Sequence, residues 1–126
     1  MILLVVEEKY EIDGSELTWS EAKAKAESDG RQLAIPRSDE DSDNLMAFLK
    51  TKGLVYVWIG ISDTETEDLW RDVQGNAISY TNWKTGEPNG GTDANCGITA
   101  NNFKWNDGDC QAKKQFVTEP SEYKLS

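Results

Sequence analysis

The sequence predicts an α+β domain in which two helices, a few short strands and one long ordered loop make up the fold. Two segments, residues 18–29 and 38–53, combine a capping signal with the hydrophobic spacing of a helix. A continuous apolar run at residues 55–61 is rich in β-branched and aromatic residues, as a buried central strand is. Residues 64–102 are polar and punctuated by glycine, which indicates a long ordered loop.

The first helix is predicted to begin at a capping box. Thr18 is followed three residues later by Glu21, so that each side chain can bond the backbone of the other. Gly30 provides the C-terminal stop. A short strand at residues 8–12 is expected to precede this helix and to begin the domain. The residues that recur at helical spacing, and so predict its buried face, are Trp19, Ala22 and Ala26.

The second helix is predicted to begin at Ser38, with Asp41 three residues later, and to end at Gly53. Its first turns alternate acidic residues as an EF-hand loop does. That interpretation fails because the sixth position requires glycine and holds Asn44, while the twelfth requires glutamate and holds Lys50. The acidic residues instead suit a helix N-terminus, where the dipole favours negative charge. The predicted buried stripe is Leu45, Phe48 and Leu49.

Two closing strands are predicted after the loop, at residues 103–105 and 115–119. Pro120 and the polar tail are expected to mark a boundary. The whole chain, residues 1–126, is then expected to be a single domain with a core at about residues 8–119. We expect the chain to be a mature secreted domain or one cut from a longer chain, because its apolar start is too short for a signal peptide.

The residues most informative about function lie within and just after the long loop. Glu87-Pro88-Asn89 stands before Cys96, and Trp105-Asn106-Asp107 stands before Cys110. Calcium takes oxygen ligands from carboxylates and amide carbonyls, which this set supplies. Two carboxylates nearly balance the divalent charge, and the amides keep their NH2 groups free to donate. Since adjacent sugar hydroxyls can coordinate, donate and accept at once, the motif indicates a calcium site that holds a sugar. The four candidate ligands are Glu87, Asn89, Asn106 and Asp107.

These motifs resemble those of the C-type lectin-like domain, and residues 58–119 are similar to collectin carbohydrate-recognition domains. The resemblance implies two helices packed on small antiparallel sheets with a long calcium-binding loop. In that family Glu-Pro-Asn, with a cis proline, accompanies mannose-type ligands (mannose, fucose, N-acetylglucosamine and glucose), whereas Gln-Pro-Asp accompanies galactose. Other matching segments are Leu17-Thr18-Trp19, Trp58-Ile59-Gly60, Asn82-Trp83 and Phe116-Val117.

The resemblance also implies a role for particular residues. It assigns Glu87, Asn89, Asn106 and Asp107 to both the calcium and the sugar. A further family ligand is a glutamate two residues before the cysteine, where this chain has Ala94, and Asp93 is the candidate replacement. Asp63 and Glu67 match two ligands of an auxiliary calcium site, although a solvated turn would use the same residue types.

Cysteine usage carries a second expectation from the same family. Cys96 and Cys110 align with the pair that ties the long loop, which favours a disulfide over two free thiols. A disulfide implies an oxidising compartment, so an extracellular or cell-surface location is expected. The other family disulfide would join the first helix to the last strand, but its positions hold Ala26 and Thr118. The helix is therefore expected to be held by packing alone.

Composition excludes several other functions. A net charge of −10 argues against nucleic acid, and the absence of histidine removes imidazole zinc sites and the usual general base. A glycosidase would need one carboxyl kept protonated, whereas calcium would hold both site carboxylates ionised, so no enzyme is expected. No stretch reaches the roughly twenty apolar residues of a membrane span, so no membrane insertion is expected.

The ligand of the predicted site stays open from the sequence. One alternative to sugar binding is an interaction module of the same fold, with a protein or ice as its ligand. Trp83 and Trp105 are predicted to anchor the loop in the core rather than to stack on a sugar. A single shallow site would bind weakly, so the partners are expected to be mannose- or fucose-bearing glycans met by several copies, in a larger adhesin or an oligomer.

Overall fold

The computed structural model describes residues 9–90 and 94–121. The helices are α1, Trp19–Ser28, and α2, Asp39–Lys52. The strands are β1, Arg31–Leu33; β2, Trp58–Ser62; β3, Arg71–Asp72; β4, Cys96–Thr99; β5, Trp105–Gly108; and β6, Thr118–Pro120. β1 pairs with β6, and the other four form an antiparallel sheet in the order β3-β2-β4-β5. The predicted α+β class, two helices with small antiparallel sheets, is confirmed. Within the described residues, no helix is long and apolar enough to cross a membrane.

Both helices begin and end where the sequence predicts. The Thr18 hydroxyl accepts from the Glu21 N–H at 3.3 Å, and the Glu21 carboxylate accepts from the Thr18 N–H at 3.0 Å. Ser38 accepts from the Asp41 N–H at 3.1 Å and caps α2. Gly30 and Gly53 follow the two helices with φ of +73° and +69°, a conformation that costs glycine little.

The buried faces of the helices follow the predicted spacing with one exception. Trp19, Ala22 and Ala26 are buried on α1, and the Trp19 indole N–H donates to the Ile59 carbonyl at 2.9 Å. α1 is therefore fixed to β2 by a buried hydrogen bond as well as by packing. On α2, Leu45 and Leu49 are buried, whereas Phe48 is half-buried at the edge of the core.

The two ends of the described chain are joined by Arg31 in β1. Its guanidinium donates to the Thr118 hydroxyl at 2.9 Å and to the Lys9 carbonyl at 2.9 Å, and it pairs with Glu11 at 2.6 Å. The predicted strand at residues 8–12 is reduced to a bridge between Glu11 and Thr118, with residue 8 outside the described residues. Thr118 stands at a position where the family resemblance implied a cysteine, and this arginine bonds to it.

The strand predicted at residues 55–61 begins later in the structure, where β2 starts at Trp58. A side chain satisfies the backbone before that point: the Thr99 hydroxyl accepts from the Val57 N–H at 3.0 Å and donates to the Val55 carbonyl. Tyr56 is 53% exposed, and its hydroxyl donates to Asn101 at 3.0 Å. The apolar run is therefore only partly a buried strand.

The closing strands also differ from the prediction. The predicted strand at residues 103–105 is replaced by a 3-10 turn, Asn101–Phe103, followed by β5. Within the predicted loop, residues 96–99 form β4, where a Cβ on Gly97 would lie 2.3 Å from the Ile61 side chain. The last strand covers residues 118–120 rather than 115–119, so Pro120 ends the strand instead of marking a boundary outside it.

An aromatic cluster anchors the loop in the core, as predicted for its two central indoles. Trp105 is 1% exposed, and Trp83 is half-buried. The Trp83 ring meets Trp70 and Trp105 edge-on, with centroid separations of 4.8 and 5.5 Å. Tyr80 meets Trp105 edge-on with ring centroids 5.8 Å apart, an arrangement that aromatic pairs prefer. The segment before Glu87 is therefore fixed against β5.

Candidate functional site

Two paired strands and a disulfide form the base of the site. In the β4–β5 pair, Gly97 lies opposite Asp107 and Ile98 lies opposite Asn106. Cys96 at the start of β4 bonds to Cys110 beyond β5, with a Cα separation of 5.3 Å. The predicted disulfide is present. It closes the strand pair that carries Asn106 and Asp107, so these two side chains lie on ordered backbone.

The Asp107 carboxylate organises the loop that crosses above β5. Asp107 is 8% exposed, and its Oδ2 accepts from the backbone N–H groups of Asn89 at 3.1 Å and Gly90 at 2.6 Å. A Cβ on Gly90 would lie 2.9 Å from this oxygen and 2.2 Å from the Ala94 Cβ. Only glycine therefore allows this approach. The sequence interpretation missed this role, although a glycine directly after the Glu-Pro-Asn triplet was its signal.

The side chain of Glu87, the first residue of the triplet, also interacts with the Asp107 carboxylate. The Glu87–Pro88 peptide bond is cis, as the resemblance implied. Loss of hydration raises the pKa of Glu87, and a side-chain hydrogen bond to Asp107 and its negative charge raise that pKa further, while Lys84 opposes the shift. Two carboxyls in contact repel each other when both are ionised. A proton on Glu87, or a cation between the two groups, would remove this repulsion.

Two oxygen atoms at the site lack hydrogen-bond donors. Oδ1 of Asn106 and Oδ1 of Asp107 are buried, and no described group donates to either. Buried polar atoms without a partner are uncommon in proteins and destabilising. Together with the Glu87 carboxyl and the Asn89 amide, these atoms are of the oxygen type that calcium prefers. The residues present therefore fit a calcium ion.

A second acidic cluster lies on the loop after β2. Carboxylate oxygens of Asp63, Glu67 and Asp68 all lie within 4.8 Å of one another. Asp63 is 3% exposed; its Oδ2 accepts from the Asp68 N–H at 2.9 Å, and no described group donates to its Oδ1. Asp63 and Glu67 are thus brought together as the resemblance implied. Asp68, with φ of +64°, joins them and was missed because its only signal was its acidity beside Glu67.

The electrostatics connect this cluster to the loop site. Loss of hydration raises the pKa of Asp63, and the charges of Asp68 and Asp107 raise it as well. Loss of hydration and then the charge of Asp63 raise the pKa of Glu67. The carboxylates of both groups therefore form one connected region of negative potential. Asp93, the candidate replacement ligand, lies outside the described residues.

Relatives of the chain place it among known proteins. The tetranectin-like protein of Carcharhinus perezii is 39% identical over 95 residues, which are 71% of this chain and 57% of that protein. The mannose-binding protein of Gallus gallus is 35% identical over 88 residues, which are 70% of this chain and 34% of that protein. This chain therefore spans between a third and about three fifths of the length of these two relatives.

A solved structure and a family model extend the comparison. The carbohydrate-recognition domain of the mouse scavenger receptor C-type lectin superposes with a TM-score of 0.79 at 27% identity, covering 87% of each chain. This likeness confirms the predicted fold. C-type lectin domains typically bind calcium and carbohydrates, and they are generally binding modules rather than enzymes. Residues 15–119 match the model of the lectin C-type domain, and the chain therefore belongs to the C-type lectin domain family.

Proposed function

We propose that this protein binds mannose-type sugars in a calcium-dependent manner through Glu87, Asn89, Asn106 and Asp107. The observation that carries the proposal is the pair of buried oxygens on Asn106 and Asp107 that no described group satisfies. They lie in a region where loss of hydration, and then the charge of Asp107, raises the pKa values of Glu87 and Asp63. A divalent cation would satisfy these oxygens and offset the repulsion at once.

The side chains have distinct roles in this mechanism. Bound calcium would supply coordination positions for two neighbouring hydroxyls of one sugar. Asp107 is held in orientation by the two backbone N–H groups at its Oδ2, which leaves its other oxygen for the ion. Asn89 and Asn106 would coordinate through oxygen and donate their NH2 groups to the sugar, while Glu87 would accept from a hydroxyl.

Two further assignments belong to the same proposal. Asp93 would complete the ligand set in place of the family's glutamate, whose position holds Ala94 in this chain. Asp63 and Glu67, joined by Asp68, would hold an auxiliary calcium that neutralises the connected acidic region and orders the loop. The orphaned Oδ1 of Asp63 supports this second ion, because burial without a donor also leaves that oxygen available.

The direct test is a glycan array that carries mannose, fucose, N-acetylglucosamine and galactose, probed in calcium and again in chelator. We expect binding to the first three sugars in calcium and none in chelator. Binding that is equal in both buffers would contradict the calcium mechanism. An absence of binding in both would favour the module with a protein or ice ligand, for which thermal hysteresis is the first assay.

The double variant Glu87→Gln with Asn89→Asp tests specificity at the same site. We expect its array preference to move from mannose toward galactose, as the family pattern implies. Glu40→Gln with Asn44→Asp makes the same change of composition on the exposed face of α2 and should leave the preference unaltered. If the Glu87 and Asn89 variant keeps its mannose preference, the triplet does not set specificity here.

We further propose that the domain acts outside the cell or on its surface, in adhesion or glycan recognition. The loop disulfide suits an oxidising compartment. One monosaccharide would make few contacts with an open polar site, so useful affinity would need several copies in a larger adhesin or an oligomer.

A further inference from the structure

Two lysines lie beside the candidate calcium site, on the outer face of the sheet. The chain around Trp83 runs alongside β5: the Trp105 N–H donates to the Asn82 carbonyl, and the Lys84 N–H donates to the Trp105 carbonyl, each at 2.8 Å. These bonds form a parallel bridge between the two tryptophans. Both indoles pack on the core side, with centroids 5.5 Å apart.

The residues that flank the two indoles share the opposite face, because side chains alternate along a strand. The Lys104 ammonium donates to the Asn82 side-chain oxygen at 3.3 Å, which shows that flanking side chains meet there. By the same register the Cα of Lys84 lies beside that of Asn106, about 5 Å away, and the Cα of Lys104, the residue before β5, lies about 7 Å from that of Asn106. The charge of Lys84 also acts on the Glu87 carboxyl.

These two lysines belong to the half of the described cations that make no ion pair. Among the described residues, neither Lys84 nor Lys104 makes an ion pair, and both are exposed. By contrast, Lys23 and Lys25 each bind a carboxylate four residues further along α1. In a chain with 23 acidic residues and a net charge of −10, carboxylates are abundant. Two exposed cations that make no ion pair therefore lie beside a candidate ligand-binding site.

We infer that Lys84 and Lys104 form a subsite for an anionic group, a sulfate or a carboxylate, on the glycan that the calcium site holds. This inference rests on the proposed function and names its substrate class more closely. Each ammonium is a compact charge with three donors on a flexible stem, so both can reach one oxyanion. The Asn82 amide can add a donor, because its oxygen already accepts from Lys104.

The acidic remainder of the surface makes this subsite selective. An anionic glycan is repelled by most of the surface of a molecule with a net charge of −10. It therefore gains binding affinity from its charge only where these lysines face it. A neutral glycan depends on the calcium site alone, whereas an anionic one can use both elements.

The test compares methyl α-mannoside with its 6-sulfate and with the methyl glycoside of mannuronic acid, by titration calorimetry in calcium. At low salt we expect an anionic sugar to bind about fivefold more tightly than the neutral one, the size that two exposed charge pairs support. In Lys84→Gln with Lys104→Gln this ratio should fall to about one. In Lys50→Gln with Lys52→Gln, the same loss of charge on α2, it should persist. About 0.5 M salt should reduce it by screening.

The outcomes separate the two proposals. Equal affinity for the neutral and both anionic sugars would overturn the lysine subsite and leave the calcium lectin standing. A ratio that persists without Lys84 and Lys104, or that disappears without Lys50 and Lys52, would also overturn it. No binding of the neutral mannoside in calcium would overturn the proposed function and the subsite with it. A gain confined to the sulfate or to the uronate would support the subsite and identify its anion.

Discussion

The helices and the loop use carboxylates in opposite ways. In the helical half, residues 9–53 with β6, acidic side chains pair with cations, as in Lys25–Asp29 at 2.7 Å and Lys9–Asp41 at 3.2 Å. In the loop half, residues 62–108, Glu65 pairs with Arg71 at 3.5 Å, but Glu87 shares a side-chain hydrogen bond with Asp107, and three further carboxylates cluster within 4.8 Å. The same residue type thus contributes mainly ion pairs in the helical half, whereas in the loop half most of these carboxylates lie beside other carboxylates and concentrate negative charge. The charge of the loop half suits a cation from outside the chain.

The substitution with the largest expected effect removes one site carboxylate. Asp107→Asn keeps the size of the side chain but lowers its charge and weakens the acceptor for the Asn89 and Gly90 N–H groups. We expect calcium affinity, measured by calorimetry, to fall about 100-fold or more, since even residues that support metal ligands are worth 10- to 100-fold. Sugar binding should be lost with it.

Asp29→Asn is the matched control in the helical half. It makes the same chemical change but removes only an exposed pair with Lys25, so calcium affinity should be unchanged. If Asp107→Asn and its control bind calcium equally well, the carboxylates of the loop half do not differ in function from those of the helices.

Calcium removal should loosen the loop half alone. In chelator we expect faster protease cleavage within residues 85–108, detected by mass spectrometry, because the carboxylates there then repel without a cation. Calcium at 100 times its dissociation constant would stabilise the fold by about 2.7 kcal/mol. Cleavage within α1 in the same digest serves as the internal control. Similar cleavage rates in the loop with and without chelator would count against an ordering role for calcium.

The smallest expected effect is a pH dependence that changes with calcium. The pKa values of Asp63, Glu67 and Glu87 are raised in the folded state without the ion. Between the ordinary and the raised values the folded state binds more protons than the unfolded chain, so these groups should increase stability in chelator as the pH falls from neutral toward the ordinary carboxyl pKa values.

The calcium-bound form should show the opposite contribution, because protons compete with the ion for the same carboxylates. The stabilisation by calcium, taken as the difference between melting temperatures in calcium and in chelator, should therefore shrink over this pH range. Glu119 in β6, whose pKa is raised by burial and which bonds to Gln32 and Ile35 rather than to the site, contributes to both curves and cancels in the difference. A difference that is constant with pH would show that these carboxyls do not bind calcium.

Local signals were sufficient to predict the helices from the sequence. The Thr18–Glu21 capping box and the glycine after each helix act through neighbouring residues, and the structure shows each of them. The ends of β2 depend instead on a distant side chain, since Thr99 satisfies the backbone before Trp58. β4 was hidden by Gly97, whose missing side chain makes room for Ile61.

The site was predictable to a similar degree. The motifs predict Glu87, Asn89, Asn106 and Asp107 as ligands. The fold brings Glu87 and the Asn89 N–H to Asp107, whereas the ligand roles themselves stay predictions. The role of Gly90 was signalled only by a glycine directly after the triplet, because the role itself depends on how closely the loop approaches Asp107. Lys84 and Lys104 were missed for a similar reason: their proximity to the site comes from a bridge between segments about twenty residues apart.

Arg31 gives the molecule an uneven sensitivity to reducing agents. The guanidinium joins the Lys9 carbonyl, the Glu11 carboxylate and Thr118 without a covalent bond, so the closure of the chain ends does not depend on thiol oxidation. The disulfide that the described chain contains lies between Cys96 and Cys110, at the base of the loop site. A reductant would therefore act at the base of the candidate site and leave the closure of the chain ends intact.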